Sequence, residues 1–561
     1  MPLPYAKPPL SQQLPKHLRS GKLRTDIISP RLCDDAIQRL APSLAPYVGC
    51  TIIDENPGVG LWSSKLHEFL KPRRHVLLER DKRYLPFLQP LLNAPGSRYK
   101  HLDWGYETIR HPDAYVKEGV IPTVQEAKAE GSLMLIVANY AGQKASKLER
   151  DIGSRAHLKA IDFAHAARQS EAFNVYGPTR VLMWASDTDR KYMIPKATID
   201  RNKIAAYLEA SFHVEQIVGG GNKGNQKSRE DAIELESRRR VAERMANEGI
   251  VLPPDRRFVL EDVLCNSSTI SRSWHRELEE LEEGFKSQKL SQFEGQPPGP
   301  LISFAAGRRP KQYSETTPEY KRWRKLDNVL KGENKQIEKV NQYLRRQDEI
   351  DQLDLEAHRD GIDPNTQAEL LTELDAKIKV YKDAISILRE KERFRLNCMD
   401  DERRAFAMDP PLLMWDRRTA EPLLTQPDEF WPSYNEGLSL VDFQTIDPQP
   451  FPMTDEQSFC FDIVTANLLG ISASSDIKSL GKWAPGAFEA LVPQVPAFTD
   501  PRKGGRRDAE SIRNRTLTPE MLYGLAIAWD KWLFKPLFSS PGMTQSGAEP
   551  MQLRRGARQS V

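Results

Sequence analysis

The chain has 561 residues and a mass of 63.9 kDa, well beyond the roughly 100 to 200 residues of one ordinary domain, so about two to four structural units are expected. Hydrophobic residues make up 39% and charged residues 28%, with a mean hydropathy of -0.58, which is polar yet too rich in aliphatic and aromatic side chains for disorder throughout. The best apolar run, Leu133–Ala138, falls far short of the roughly 18 to 20 residues that a membrane-spanning helix needs, and excludes one.

The five cysteines (Cys33, Cys50, Cys265, Cys398, Cys460) are scattered and never form a C-x-x-C pair. Neither a disulfide framework nor a metal module is indicated, and packing thiols in a reducing compartment are expected. A net charge of +3 with a pI near 8.4 neither demands nor excludes a polyanionic partner, so local clusters must decide.

Residues 1–24 carry Lys7, Lys16, Arg19, Lys22 and Arg24 with no acid before Asp26, the charge signature of a mitochondrial targeting segment. Pro2, Pro4, Pro8, Pro9 and Pro15 confine any presequence helix to the residues beyond Pro15. A helix is then expected after Ser29-Pro30, with Ser29 as N-cap and Pro30 at the first helical position. Cys50–Ile53 reads as a strand, Asn56-Pro-Gly-Val-Gly60 as a turn and Leu61–Leu70 as a helix. His75–Leu78, Leu133–Ala138, Val181–Trp184, His213–Val218 and Leu438–Phe443 read as further strands, and Tyr84–Leu92 as a helix. This alternation implies a parallel α/β sheet.

The last of these strands is separated from the others by a long insertion. Gly219–Gly224 and Gln296–Pro300 read as linkers. Between Lys321 and Arg404 the apolar positions Leu371, Leu374, Ile378, Tyr381, Ile385 and Leu388 form a heptad seam. With Ile337, Val340 and Leu344 before Gly361-Ile-Asp-Pro364, an antiparallel helical hairpin is expected. Farther on, Met521, Leu522, Leu525, Ala528, Trp529 and Trp532 form a helical stripe, and residues 539–561 read as a disordered basic tail. The expected segments are therefore a leader (1–24), an α/β core (25–265), a charged helical insertion (266–409), a return to the core (410–455), a helical domain (456–538) and the tail.

Strand, glycine turn and helix at Asp54-Glu-Asn-Pro-Gly-Val-Gly60 form a loop that lets backbone approach a nucleotide-like ligand, and Glu79 ends the next strand, near the roughly 20-residue spacing of an acid that bonds ribose hydroxyls. The loop lacks a third glycine and has an acid at its entry, which favours S-adenosylmethionine over a dinucleotide. Asp54, Asn56, Gly58, Gly60, Glu79, Asp103 and Asn139 are the expected cofactor-binding residues, with Asp54 by the methionine end and Asp103 at the adenine amine. Arg502, Lys503, Arg506, Arg507, Arg513 and Arg515, beside Trp529, Trp532 and Phe534, are the expected nucleic-acid contacts, with Arg554, Arg555 and Arg558 adding attraction from the tail.

Asp54-Glu-Asn-Pro-Gly-Val-Gly-Leu-Trp-Ser-Ser-Lys-Leu-His67 and Lys71-Pro-Arg-Arg-His-Val-Leu-Leu-Glu79, with Thr25–Leu32, Arg180–Trp184, Thr518–Leu522 and Ala528–Trp532, resemble the ribosomal RNA adenine dimethyltransferase family. The resemblance is specifically to its fungal mitochondrial transcription factor B branch. The resemblance covers residues 25–265 and 410–540. It implies a Rossmann-like S-adenosylmethionine-dependent methyltransferase fold with a small C-terminal all-α domain. It also implies a matrix-located factor that helps a single-subunit mitochondrial RNA polymerase melt promoter DNA. Methylating members of the family end the strand after the adenine-contacting acid in Asn-Leu-Pro-Tyr or Asn-Ile-Pro-Phe, where the Asn and the Pro carbonyl hold the target amine and the aromatic ring stacks on the flipped base. Here the motif is Asn139-Tyr-Ala-Gly142. Asn139 and Tyr140 are the expected catalytic positions, and weakened or lost methyl transfer is expected. The alternative is an active enzyme acting on small-subunit ribosomal RNA.

Overall fold

The computed structural model describes residues 25–104, 111–143, 154–219, 229–257, 280–283, 318–432, 437–470 and 475–536. The basic leader, Cys265, the 296–300 linker, most of the 219–224 linker and the tail with Arg554, Arg555 and Arg558 lie outside these residues.

The principal elements are β1 (Asp26–Ile27), α1 (Pro30–Leu44), β2 (Thr51–Glu55), α2 (Leu61–Leu70), β3 (Arg74–Leu78), α3 (Leu85–Leu92), β4 (Tyr99–Leu102), β5 (Met134–Asn139), α4 (Arg155–Arg168), β6 (Arg180–Ser186), α5 (Lys203–Glu209) and β7 (Phe212–Gly219). They are followed by α6 (Asp231–Asn247), α7 (Pro318–Ala357), α8 (Pro364–Ser386), α9 (Glu390–Ala407), β8 (Leu423–Leu424), β9 (Phe430–Trp431), β10 (Leu438–Thr445), α10 (Asp455–Gly470) and α11 (Pro519–Lys531).

Eight strands form one mostly parallel sheet in the order β4-β3-β2-β5-β6-β10-β7-β8. From β2 the chain steps outward through β3 to β4, then returns to place β5 and β6 on the other side of β2, the arrangement of a doubly wound sheet. Strands β2 and β5 are buried along their whole length, as their unbroken apolar runs require between two layers of helices. One face packs on α1 and α2 through Leu32, Leu40, Trp62, Leu66 and Trp184. The other packs on α4, α5, α10 and α11 through Phe163, Leu208, Phe461 and Trp529. The C-terminal helices thus share one hydrophobic cluster with the sheet. Helix α1 starts as its sequence dictates, with Ser29 Oγ accepting from Leu32 N at 3.1 Å and Pro30 at the first position. Among the described residues no helix is long and apolar enough to cross a membrane.

Strand β10 is antiparallel to both neighbours, β6 and β7. A bidentate pair fixes it: Asp442 accepts from Arg180 Nε at 2.9 Å and Nη2 at 2.6 Å, both side chains being 1% exposed. The same guanidinium donates to the Ser43 carbonyl and hydroxyl in α1, at 2.6 and 2.7 Å. Sheet and helix layer are thereby joined by one fully engaged cation.

The inserted helices α7 and α8 run side by side, joined through residues 358–363, with α9 packed on α7. The heptad seam faces inward: Leu374 and Leu388 are buried, and Val340, Leu344, Leu388 and Leu396 form a small core. Helix α9 ties the insertion to the sheet layer, because the Glu402 carboxylate accepts from Thr198 N and, at 2.6 Å, from Thr198 Oγ1. Arg403 Nε also donates to Glu230 at 2.9 Å.

Two stability outcomes follow from these ties. Asp442→Ala strands a buried guanidinium and is expected to lower unfolding free energy by about 3–5 kcal/mol, measured by urea titration. Burial pushes Glu402 up from 4.5 to about 7, so the folded state binds its proton more tightly than the unfolded state. Its contribution is then greatest below pH 4.5 and falls as pH rises toward 7. Glu402→Gln should therefore shrink the loss of melting temperature between pH 5 and pH 8, read by thermal scans of both proteins.

Candidate ligand crevice and basic segment

The expected ligand residues gather at the carboxyl ends of β2 and β5, where the direction of strand progression reverses and a sheet of this kind offers a crevice. The turn after β2 is held by three left-handed residues, Asn56 (φ 58°), Gly58 (φ 60°) and Gly60 (φ 74°). Asn56 N donates to Leu78 O and Gly60 N to Pro57 O, each at 3.0 Å. A Cβ at Gly60 would sit 2.9 Å from Leu88 Cδ2 and 3.2 Å from Leu91 Cδ1. Glycine is needed there for conformation and for space.

Glu79, 2% exposed, braces this turn. One carboxylate oxygen accepts from Gly58 N at 3.3 Å and the other from Asp81 N at 2.9 Å. Asp103, just past β4, is exposed. In the first turn of α2, the buried Trp62 Nε1 and Ser63 Oγ have no hydrogen-bond partner among the described residues. Glu79, Asp103 and the left-handed turn fit a nucleoside ligand.

Asp54 does not take the expected position by the ligand's methionine end. Neighbouring residues on a strand face opposite sides of the sheet, and Asp54 turns to the α2 face, where its Oδ2 lies 3.2 Å from His75 Nε2. His75 Nδ1 in turn lies 3.1 Å from His67 Nδ1, and Tyr99 packs against both rings. Burial, then His75, lowers His67 to about 4, so His67 is neutral at physiological pH. Glu55 occupies the other face and accepts from Tyr140 OH. Nothing in the sequence singled out Glu55, His67, His75 or Tyr99, although the parity of Asp54-Glu55 already required the two acids to diverge.

The expected catalytic pair is built into the scaffold. Asn139, 6% exposed, donates from Nδ2 to Thr25 O at 2.9 Å and accepts at Oδ1 from Ala141 N at 3.0 Å. Thr25 N donates back to Ala141 O at 2.9 Å. Tyr140 is fully buried in the hydrophobic core, so its ring is not presented for stacking on a flipped base.

The basic segment is likewise engaged. Arg506 and Arg513, 6% and 8% exposed, pair with Asp400 at 2.7 and 2.6 Å, and Arg513 also with Asp401 at 2.7 Å. Arg502 pairs with Asp500 and Asp360, Lys503 with Glu520, and Arg507 with Asp375. Arg515 donates to the Arg201 carbonyl. The inner guanidiniums thus face carboxylates of α9 and not an open phosphate-binding surface. Trp529 is fully buried and packs on Trp483 at 4.5 Å, whereas Phe534 is exposed.

In comparisons with known proteins, no family model and no curated protein matches the chain.

Tyr140→Phe removes a buried hydrogen bond to a carboxylate and is expected to destabilise by about 1.5–3 kcal/mol in urea unfolding. A ring used only for base stacking would leave stability unchanged.

Proposed function

We propose that the protein is a mitochondrial transcription initiation factor, built on a ribosomal RNA adenine dimethyltransferase scaffold, that assists a single-subunit mitochondrial RNA polymerase at promoter DNA. The partner and the compartment rest on the motif resemblance. The observation that favours a binding role over methyl transfer is the engagement of Asn139 by Thr25 and Ala141, with Tyr140 withdrawn into the core. An adenine amine needs the Asn oxygen and an aromatic ring at the surface, and neither is presented. In such a factor the energy of binding single strands stabilises open DNA, so its contribution shrinks when the template is already open.

S-Adenosylmethionine supplies an electrophilic methyl group when bound. The residues that would hold it are the 56–60 turn for the carboxypropyl and sulfonium end, Glu79 for the ribose hydroxyls and Asp103 for the adenine amine. Retention of both acids at the ends of their strands favours, as the second reading, an S-adenosylmethionine-dependent dimethyltransferase acting on small-subunit ribosomal RNA.

Run-off transcription by the cognate polymerase separates the two. A start-site-specific product on linear duplex promoter DNA that requires the protein, with a weaker requirement on premelted template, is the expected result. Absence of stimulation on either template, with the polymerase shown active by a control factor, would move the assignment to RNA methylation, read as labelled methyl transfer to the ribosomal hairpin. Gly58→Arg fills the turn and should abolish S-adenosylmethionine binding in equilibrium dialysis while leaving transcription support intact in a folded variant.

A further inference from the structure

The insertion presents six carboxylates to the segment 500–515, five from its helices (Asp351, Asp354, Asp375, Asp400 and Asp401) and Asp360 from the 358–363 connection. They divide by burial. The Arg506 and Arg513 pairs with Asp400 and Asp401 have side chains no more than 11% exposed, and they hold the insertion down. The outer pairs are open to water: Arg502–Asp360 at 2.7 Å, with side chains 49% and 94% exposed, and Arg507–Asp375 at 3.0 Å, with 41% and 54% exposed. Lys382 of α8 meets Asp508 of the segment at 2.8 Å along the same seam.

Exposed ion pairs of this kind contribute only about 0–1 kcal/mol each, so a second anion can replace the carboxylate at little cost. The Arg507–Asp375 contact is a two-point fork, Nε to Oδ1 and Nη2 to Oδ2, each at 3.0 Å, and the same fork accepts two oxygens of a phosphate. The inner pairs need not break for the outer ones to exchange.

We propose that this outer seam is a phosphate-backbone site for single-stranded nucleic acid, in which Asp360 and Asp375 of the insertion occupy the phosphate positions at Arg502 and Arg507. The insertion is thereby a built-in competitor that weakens nonspecific binding, and a strand gains the site by displacing two carboxylates. This assignment rests on the reading of the chain as a nucleic-acid-binding protein. It adds a role for the insertion, which the family resemblance does not cover.

The test is fluorescence anisotropy of a labelled oligothymidylate with the full chain, across a series of salt concentrations. Asp360→Asn/Asp375→Asn keeps side-chain shape while freeing the Arg507 fork and leaving Arg502 with Asp500 of its own segment as its remaining carboxylate. The expected result is about tenfold tighter binding at low salt, with the slope of log affinity against log salt steeper by at least about 0.7, the contact at Arg507, and by about 1.4 where the strand also displaces Asp500 from Arg502. Adding Arg502→Gln/Arg507→Gln should return affinity and slope to the wild-type values. An unchanged slope in a double variant that melts like wild type, or a gain that survives loss of the two arginines, overturns the proposal. If the double variant does not fold, Asp375→Asn alone carries the test, with a slope steeper by about 0.7. Polymerase is absent from this assay, so the outcomes separate. Exchange without transcription support overturns only the initiation-factor reading, and transcription support without exchange overturns only the proposed site.

Discussion

Strand β10 lies between two strands that precede it in the chain. It bonds to β6 on one side and β7 on the other, and its Asp442 neutralises a guanidinium on β6 that would otherwise be buried and unpaired. Residues 438–445 give β6 and β7 their shared partner and Arg180 its carboxylate. The charged helices between β7 and β10 must therefore leave the sheet and return without preventing this closure. Their own small core of Val340, Leu344, Leu388 and Leu396 lets them do so as a separate layer.

Rigidity at the carboxyl edge of the sheet follows from the same economy of polar groups. Glu79 braces the glycine turn through Gly58 N and Asp81 N, Asn139 binds the incoming chain at Thr25, and Tyr140 meets Glu55 inside the core. Each of these residues belongs to a type that a catalytic or cofactor reading would select. Here a buried polar group has to find a partner, and the partners found are backbone amides, a carbonyl and a neighbouring acid. Asn139 and Tyr140, the residues expected to orient an adenine amine, hold the chain together.

Charge on the basic segment obeys the same logic on a larger scale. Six cations within residues 502–515 read as a polyanion surface when the neighbouring sequence alone is considered. Folding brings four of them, Arg502, Arg506, Arg507 and Arg513, against aspartates from residues 351 to 401, more than 100 positions away. The inner arginines become structural through desolvation and pairing. Only the outer ones stay where a phosphate can reach them.

Local rules determined the α/β alternation, the strand and helix positions, the Ser29 cap, the glycine turn and the inward heptad seam. Each depends on side-chain periodicity, on a capping group a few residues away or on left-handed backbone, and these are properties of adjacent residues. Tertiary structure alone decided that Asp54 joins His75 and not a ligand, that Tyr140 is a core residue, and that Arg506 and Arg513 face α9. It also merged the C-terminal helices with the core of the sheet. Those outcomes turn on which distant group satisfies a buried hydrogen bond or charge, and in this chain the partners lie from 21 to more than 100 residues away. No periodicity encodes such a pairing; burial makes it obligatory, and the topology of the sheet selects the partner.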